Sequence, residues 1–521
     1  MSNTSNSNGF DLKGHNHKPT PALRLTGLVL FLLGLAVFTG SLGIGNYRVT
    51  DQVLAELGNQ IPAERIAKLT PLKDRLYTSK FTLLNDIESH INDDGQVQPY
   101  ELGQYKVTIL KAANSGLLKD NPGLMFFLSV VLASIGALIY ILAGLKALSG
   151  IKNNNIFFAS ATSRGVLGIL LGTYLIGFYV LLYWFPEYIV NLILLVDPVS
   201  YFVRNLPADR WFLYGLLYTF AVTVMGTRMC VKYRHNRYHL VRTTSVIFFQ
   251  FGFAFLIPSL LERFNQPSMD FKNAWPLNYS FFMDWNLNNL LSGGTLGIFM
   301  LFWGVVLAVV VVPLMTYFFG KRWYCSWVCG CGGLAETLGD PFRQLSNKSL
   351  KAWKVERGII YSVLIFAVVM TAMQIANFVS NGSLFGNYTW RVNQTYSFLI
   401  GSIFAGVVGT GFYPFMGNRV WCRFGCPLAA ILGLVQKFKS RFVITTNGGQ
   451  CISCGNCSTY CEMGIDVRWY AQRGQNIIRA SCVGCGVCAA VCPRGVLKLE
   501  NSAPGQRYNV VLDDELLASV N

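Results

Sequence analysis

Eight cysteines near the C-terminus fall into two runs with the same steps, CISCGNCSTYC from Cys451 to Cys461 and CVGCGVCAAVC from Cys482 to Cys492. The spacing C-x2-C-x2-C-x3-C places three thiolates around one side of an iron–sulfur cube. The fourth, set off by three residues that start a helix, reaches the cube of the other run. Cys451, Cys454, Cys457 and Cys492 are thus expected to hold one [4Fe-4S] cluster, and Cys482, Cys485, Cys488 and Cys461 the second. Gly455, Gly484 and Gly486 let the backbone bend around a bulky inorganic core, and amides in such bends stabilise the reduced state. Structural zinc also uses C-x2-C pairs, but it does not call for a compact triplet plus a remote fourth ligand, twice. The second run ends in CPRG and the first in CEMG, so Glu462 stands where the other run has Pro493. Loss of that proline could loosen the turn and set the two potentials apart.

A second group of cysteines lies upstream. WYCSWVCGCGG carries Cys325, Cys329 and Cys331, and VWCRFGCPLAA carries Cys422 and Cys426. Each segment contains a C-x3-C pair, and positions i and i+4 share one face of a helix. Two such faces meeting would present four thiolates to an additional redox or metal site at Cys325, Cys329, Cys422 and Cys426. A zinc clip and unliganded packed thiols are the other readings. Cys331 either replaces one of the four or is a spectator, and the isolated Cys230 reads as packing.

The elements that must position these residues are membrane spans. Of 521 residues, 52% are hydrophobic and 13% charged, about half the charge of an average soluble chain. Stretches of roughly 20 apolar residues suit a bilayer, and eight occur, at 25–47, 123–145, 165–184, 211–227, 243–261, 296–319, 358–378 and 398–415. The apolar run 189–196 is too short to span and reads as interfacial. The first stretch is long for a signal-peptide core and no small-residue cleavage site stands out after it, so it reads as an uncleaved anchor.

Basic residues are unequally divided between the loops. One side carries Lys146, Lys152 and Arg164, then Arg228, Lys232, Arg234, Arg237 and Arg242, then seven more from Lys321 to Arg357. The other side has only Arg204, Arg210, Arg263, Lys272 and Arg391 in its short loops. The positive-inside rule then puts both termini in the cytoplasm. The net charge of +17 is explained by topology, and no nucleic-acid partner is expected.

The expected fold class is a membrane protein: an α-helical transmembrane bundle of about eight spans with a C-terminal α+β double-cluster ferredoxin-like domain. The expected organisation is a cytoplasmic lead (1–24), an anchor (25–47), an extracytoplasmic helical domain (48–122), a transmembrane region holding both C-x3-C motifs (123–436), the ferredoxin domain (437–500) and a tail (501–521).

Transmembrane helices, two C-x3-C motifs and a double [4Fe-4S] tail resemble the NosR/NapH/CcoG group of membrane polyferredoxins over approximately residues 232–500, and YCSWVCGCGGLAET looks closest to the NosR type. The resemblance implies a bacterial inner-membrane protein. It would pass electrons between the quinone pool, or a flavoprotein or other redox partner, and another redox enzyme, as one subunit of a larger membrane complex. Two further roles in the group are assembly of copper and haem enzymes and redox-sensing regulation. This chain departs from the pattern at Gly330, where the first motif lacks its proline, and the short 48–122 domain shows no flavin-attachment motif.

Weaker signals remain. HINDDGQVQPYE has the frame of a calcium loop, with Asn92, Asp94, Gly95, Val97 and Glu101 in place but His90 where the first Asp belongs. A plain Asn-Asp-Asp-Gly turn is the alternative. His235 and His239 lie in a basic stretch that reads as a solvated loop or headgroup contact. No span contains an interior histidine, so haem held by two histidines within the bilayer is not expected. No intramembrane carboxylate or lysine offers an ion relay. Arg242 and Gln250 flank one end of a span where they could reach a quinone carbonyl, although an arginine there also serves as a topology anchor.

Overall fold

The computed structural model describes residues 21–144, apart from positions 59, 94 and 96, and residues 156–502. The lead up to residue 20, the loop carrying Lys146 and Lys152, Asp94 of the candidate calcium loop and the tail beyond residue 502 lie outside the described residues.

Among the described residues, six helices are long and apolar enough to cross a membrane: α1 (Pro21–Gly40), α2 (Pro122–Gly144), α3 (Val166–Trp184), α5 (Arg237–Arg263), α6 (Gly294–Phe319) and α7 (Leu350–Val379). The expected stretches 211–227 and 398–415 are also helical. They lie in α4 (Arg210–Lys232) and in α8, which runs through Asn387–Tyr396, Ser397–Val408 and Gly409–Gly411. Both are outside the six because polar and small residues dilute their apolar character. Arg228 and Lys232 sit in the last turns of α4, and Gly401, Ser402, Gly406, Gly409 and Thr410 lie along α8.

Small residues set the closest helix approach. A side chain on Gly136 of α2 would fall 2.3 Å from the Phe31 amide nitrogen of α1, and one on Gly27 would fall 2.4 Å from that of Tyr140. Contact between backbones replaces the hydrophobic effect as the source of helix association in lipid.

The small domain between α1 and α2 has its own core. Strands β1 (Asn46–Arg48), β2 (Leu76–Tyr77) and β3 (Asn114–Ser115) form an antiparallel sheet with β1 central. Its helices bury Leu57, Leu83, Ile87, Ile109 and Leu110 against Tyr47 and Val49.

Residues 189–196, expected at the interface, are buried between this core and a second cluster formed with Phe212, Leu213 and Leu216. Val190 and Leu194 pack into the core of the small domain, and the segment Pro186–Leu195 meets Asp197–Arg204 at a 68° bend. The cause is Asn191. Its amide nitrogen donates to the carbonyls of Ser41 (2.9 Å), Leu42 (3.2 Å) and Ile44 (2.9 Å), and its oxygen accepts from Tyr47 (3.0 Å) and Asn114 (3.3 Å). A buried amide with its hydrogen bonds satisfied fastens the segment to the domain instead of leaving it in headgroups.

The cysteine-rich domain caps the opposite end of the bundle. Its strands β4 (Val443–Thr446) and β5 (Leu497–Glu500) pair antiparallel, with Ile444 facing Leu499. Helix α4 links the two ends: Arg210 donates to the Tyr183 carbonyl (3.2 Å) beside the small domain, and Lys232 meets Asp340 (2.7 Å) at the other end.

The loop after α5 differs from a plain surface turn. Lys272, read from the sequence as a loop charge, is 9% exposed and pairs with Asp270 at 3.0 Å. Its carbonyl accepts from Tyr324 (2.7 Å), while Trp275 donates to Thr371 of α7 (2.9 Å). The loop folds back into the bundle because its aromatic and backbone groups find partners there.

Candidate redox site

Each C-x3-C pair straddles a break between helices, where one continuous helix face was expected. Cys325 ends the turn Arg322–Cys325, and Cys329, with extended backbone, precedes the helix Gly330–Thr337. Cys422 lies in the turn Trp421–Gly425, and Cys426, also extended, precedes the helix Pro427–Lys439. Pro427 explains the second break, since a residue before proline is pushed out of the helical region. Gly330 takes the corresponding position in the first motif, where a Cβ would lie 2.8 Å from Gln250 Oε1.

The second cysteine of each pair is therefore a helix N-cap. Cys426 Sγ accepts from the Ala429 amide at 3.4 Å, whereas Cys329 caps its helix by position, without a side-chain cap hydrogen bond. Helix N-termini favour thiolate. The neighbouring Cys331 thiol, then the Gly332 amide, holds the Cys329 thiol down at about 6. Burial instead pushes Cys325 up to about 12. Burial, followed by the charges of Cys422, Cys325 and Cys329, pushes the Cys426 thiol well up.

Cys331 is the fifth thiol and is exposed. It lines a cavity of about 1910 Å³ that reaches from beneath the small domain, past Tyr183, Trp211, Tyr279 and Tyr396, to Trp421 and Pro427.

In the C-terminal runs, one small pocket is lined by Cys451, Cys454, Cys457 and Cys492 together with Arg468 and Arg494. Cys454 is exposed. Burial, then the neighbouring thiols, pushes Cys488 well up, and those neighbours include Cys485, Cys461 and Cys482. Burial likewise pushes Cys457 up to about 12 and Cys482 up to about 11. Such thiols stay protonated unless a metal takes the proton's place. Gly455, Gly484 and Gly486 all have positive φ, at 78°, 59° and 78°, which side chains disfavour. Among the described residues, no three His, Cys, Asp or Glu converge closely enough for a single metal ion; an iron–sulfide core, wider than one ion, asks for greater separation.

The inner run is fastened to the bundle through backbone carbonyls. Ser326 donates to Val483 (2.9 Å), Tyr238 to Gly484 (2.9 Å) and Gln436 to Cys482 (2.8 Å), and Arg242 donates to Cys485. In the stretch read as a solvated loop, His235 is exposed as expected, but His239 lies in the docking surface. His239 is 1% exposed and stacks on Tyr233. Arg242 is committed to Glu336 (3.0 Å) and the Cys485 carbonyl, which corrects the reading of it as a quinone contact or simple topology anchor. Gln250 is buried, 3.4 Å from Thr219.

Glu462 does not loosen its turn. It is fully buried, pairs with Arg343 (2.7 Å) and Arg419 (3.0 Å), and accepts from Asn418 (3.0 Å). Asp340 joins the same network through Arg343 (2.8 Å), Arg228 (2.7 Å) and Lys232 (2.7 Å). Sequence reasoning missed Asp340, Arg343, Arg419, Glu336 and Glu462 as a unit. The available signal was the cluster of acids and arginines in ETLGDPFRQ, next to an apolar stretch.

In the small domain, Asn92 Oδ1 accepts from the Val97 amide (3.1 Å) and Asp93 pairs with Lys68. His90 Nδ1 is 2.7 Å from the Asp86 carbonyl.

Residues 300–349 and 398–445 match a 4Fe-4S binding domain, and residues 422–497 match a 4Fe-4S dicluster domain. The first match brackets both C-x3-C motifs. The chain is 29% identical over 182 residues to the putative electron transport protein YccM of Escherichia coli, covering 31% of this chain and 46% of YccM. It is 25% identical over 245 residues to the methylamine utilization ferredoxin-type protein MauN of Methylobacillus flagellatus, covering 46% of this chain and 81% of that one. MauN of Methylorubrum extorquens is 24% identical over 210 residues, 39% of this chain and 66% of that one. The chain thus spans just under half the length of YccM. No solved structure matches. The matched domains, the names of these relatives and the apolar helices support an iron–sulfur electron-transfer protein of the membrane.

Proposed function

We propose that the chain is a membrane-bound electron relay with three centres in line. Cys451, Cys454, Cys457 and Cys492 hold the outermost [4Fe-4S] cluster, and Cys482, Cys485, Cys488 and Cys461 hold the inner one. Cys325, Cys329, Cys422 and Cys426 hold a third redox centre. Bound clusters supply one-electron transfer without bond chemistry. The protein's part is to fix their order: one cysteine set at the surface beside Arg468 and Arg494, one against the bundle, and one at the inner end of the cavity. The observation that carries this reading is the grouping of each cysteine set, with Cys492 joining the first run and Cys461 the second.

The exposed set serves a soluble redox protein, with Arg468 and Arg494 steering an acidic partner. The aromatic-lined cavity suits a quinone, whose ring would lie among Tyr279, Tyr396 and Trp421. The loop charges favour eight spans with both termini in the cytoplasm of a bacterium. The small domain is then extracytoplasmic, and the chain is one subunit of a larger oxidoreductase. A second reading, metal reduction during assembly of another enzyme, is favoured by Cys331, a thiol open to the cavity that the four-cysteine set leaves over.

Iron and sulfide counts with EPR on anaerobically purified protein test the relay. Three centres are expected, with the third lost in Cys422→Ser while two remain. A colourless, zinc-loaded protein overturns the proposal. Reduction by a quinol analogue separates the quinone reading from the metal-reducing one.

A further inference from the structure

The charges buried between the inner cysteine run and the C-x3-C set do not balance. Arg228, Lys232, Arg343, Arg419 and Arg242 are joined through only three carboxylates, Asp340, Glu462 and Glu336. None of these eight side chains is more than 7% exposed. Buried charge without compensation is strongly unfavourable; burial lowers Lys232 to about 7, and an anionic group close by would balance the arginines. The arginines also carry unmet donors: the Nε–H groups of Arg242 and Arg419 find no hydrogen-bond acceptor among the described residues.

Arg419 occupies the centre of this imbalance. Its guanidinium lies 2.5 Å from Glu336 and 3.0 Å from Glu462, the neighbour of Cys461. The same side chain donates to the Cys325 carbonyl at 3.2 Å and lies 3.5 Å from Cys422 Sγ. One fully buried cation therefore touches the C-x3-C set directly and the inner run through a single carboxylate. Lys321, 1% exposed, adds a second cation whose charge acts on Cys325, Cys422 and Cys482.

We propose that Arg419, with Glu462, is a positioning residue that sets and couples the potentials of the C-x3-C centre and the inner cluster. A fixed cation beside thiolates favours the more negative, reduced state, and in a buried site its charge is weakly screened. Glu462 has the opposite sign and holds Arg419 in place. In the position that Pro493 occupies in the other run, it gives the inner cluster a charged link to the bundle that the outer cluster lacks.

This inference rests on the proposed redox centre at the C-x3-C set, and redox titration by EPR of the whole, anaerobically purified protein separates the two. In Arg419→Gln, the midpoint potentials of the C-x3-C centre and the inner cluster are expected to fall, with the outer cluster unmoved. In Glu462→Gln both are expected to rise. Arg419→Lys, which keeps the charge and loses the fork, is expected to leave them nearer to wild type than Arg419→Gln does. Shifts of opposite sign are a signature that general loosening would not produce. Iron-replete variants whose potentials stay still, or move in the same direction, overturn the inference. If Arg419→Gln loses iron, Glu462→Gln and Arg419→Lys decide it by the same criteria. A wild-type protein with iron for only two clusters overturns the third centre instead; the inner cluster then still reports whether Glu462→Gln raises its potential.

Discussion

Arg343 and Glu462 meet at 2.7 Å with both side chains wholly buried, and they join the bundle to the first cysteine run across 119 residues of sequence. Arg343 also holds Asp340 at 2.8 Å. The pair is a buried rivet between two parts of the molecule that could otherwise move apart. Replacing Arg343 by Met should destabilise the junction by about 1.5–3 kcal/mol, because two buried carboxylates each lose one of their charged partners. Limited proteolysis between residues 437 and 450 should accelerate several-fold, and unchanged protection would show that the pair contributes little.

Cysteine exchange between the two runs is open to a direct check. Cys492→Ser should deplete the outer, surface cluster, and Cys461→Ser the inner one, each leaving about half the iron of the two C-terminal clusters. EPR spectra of the two variants should then be complementary. Identical spectra would mean that each run closes its own site.

Cys331 should be dispensable for iron and reactive towards small thiol reagents. Cys331→Ser is expected to keep the wild-type iron count but to lose the label that a maleimide places at the inner end of the cavity, read by peptide mass mapping. Loss of iron in this variant would make Cys331 a ligand in place of one of the four.

Asn191 tethers a bent segment to the small domain through five hydrogen bonds. Asn191→Leu should cost about 3 kcal/mol in the stability of that domain, since the buried Tyr47 hydroxyl and Asn114 amide lose an acceptor. Hydrogen exchange in β1 should speed up, while the iron content stays at the wild-type value. Iron loss would imply that the small domain supports the cysteine sites at a distance.

Arg468 and Arg494 border the pocket of the outer cysteine set. Reversing both to Glu should slow electron exchange with an acidic soluble carrier by about tenfold at low salt, with the difference shrinking as ionic strength rises. A rate insensitive to both charge and salt would place the soluble partner elsewhere.

Much was legible before any coordinates, for reasons that are local. Cysteine steps of three, three and four are a property of consecutive residues, and so is the need for glycine at Gly455, Gly484 and Gly486. Apolar length marked the helices, although among the described residues six are long and apolar enough to stand out as spans in the fold. Local patterns could not show that the C-x3-C pairs break across helix caps, nor that Lys272 turns back into the bundle. They also missed that His239 and Arg242 are buried against a second domain, while Arg234, His235 and Arg237 stay exposed.

The amino-acid sequence alone determined the metal-binding class of the tail and the apolar character of the bundle, because both depend on spacing and composition along the chain. Only the tertiary structure decided which charges are buried together. Arg343, Arg419, Glu336 and Glu462 are separated by up to 126 residues, and each alone resembles an ordinary surface or loop charge. Their common role arises when folding removes water from all of them at once, since a charge taken out of water must find its partner in space.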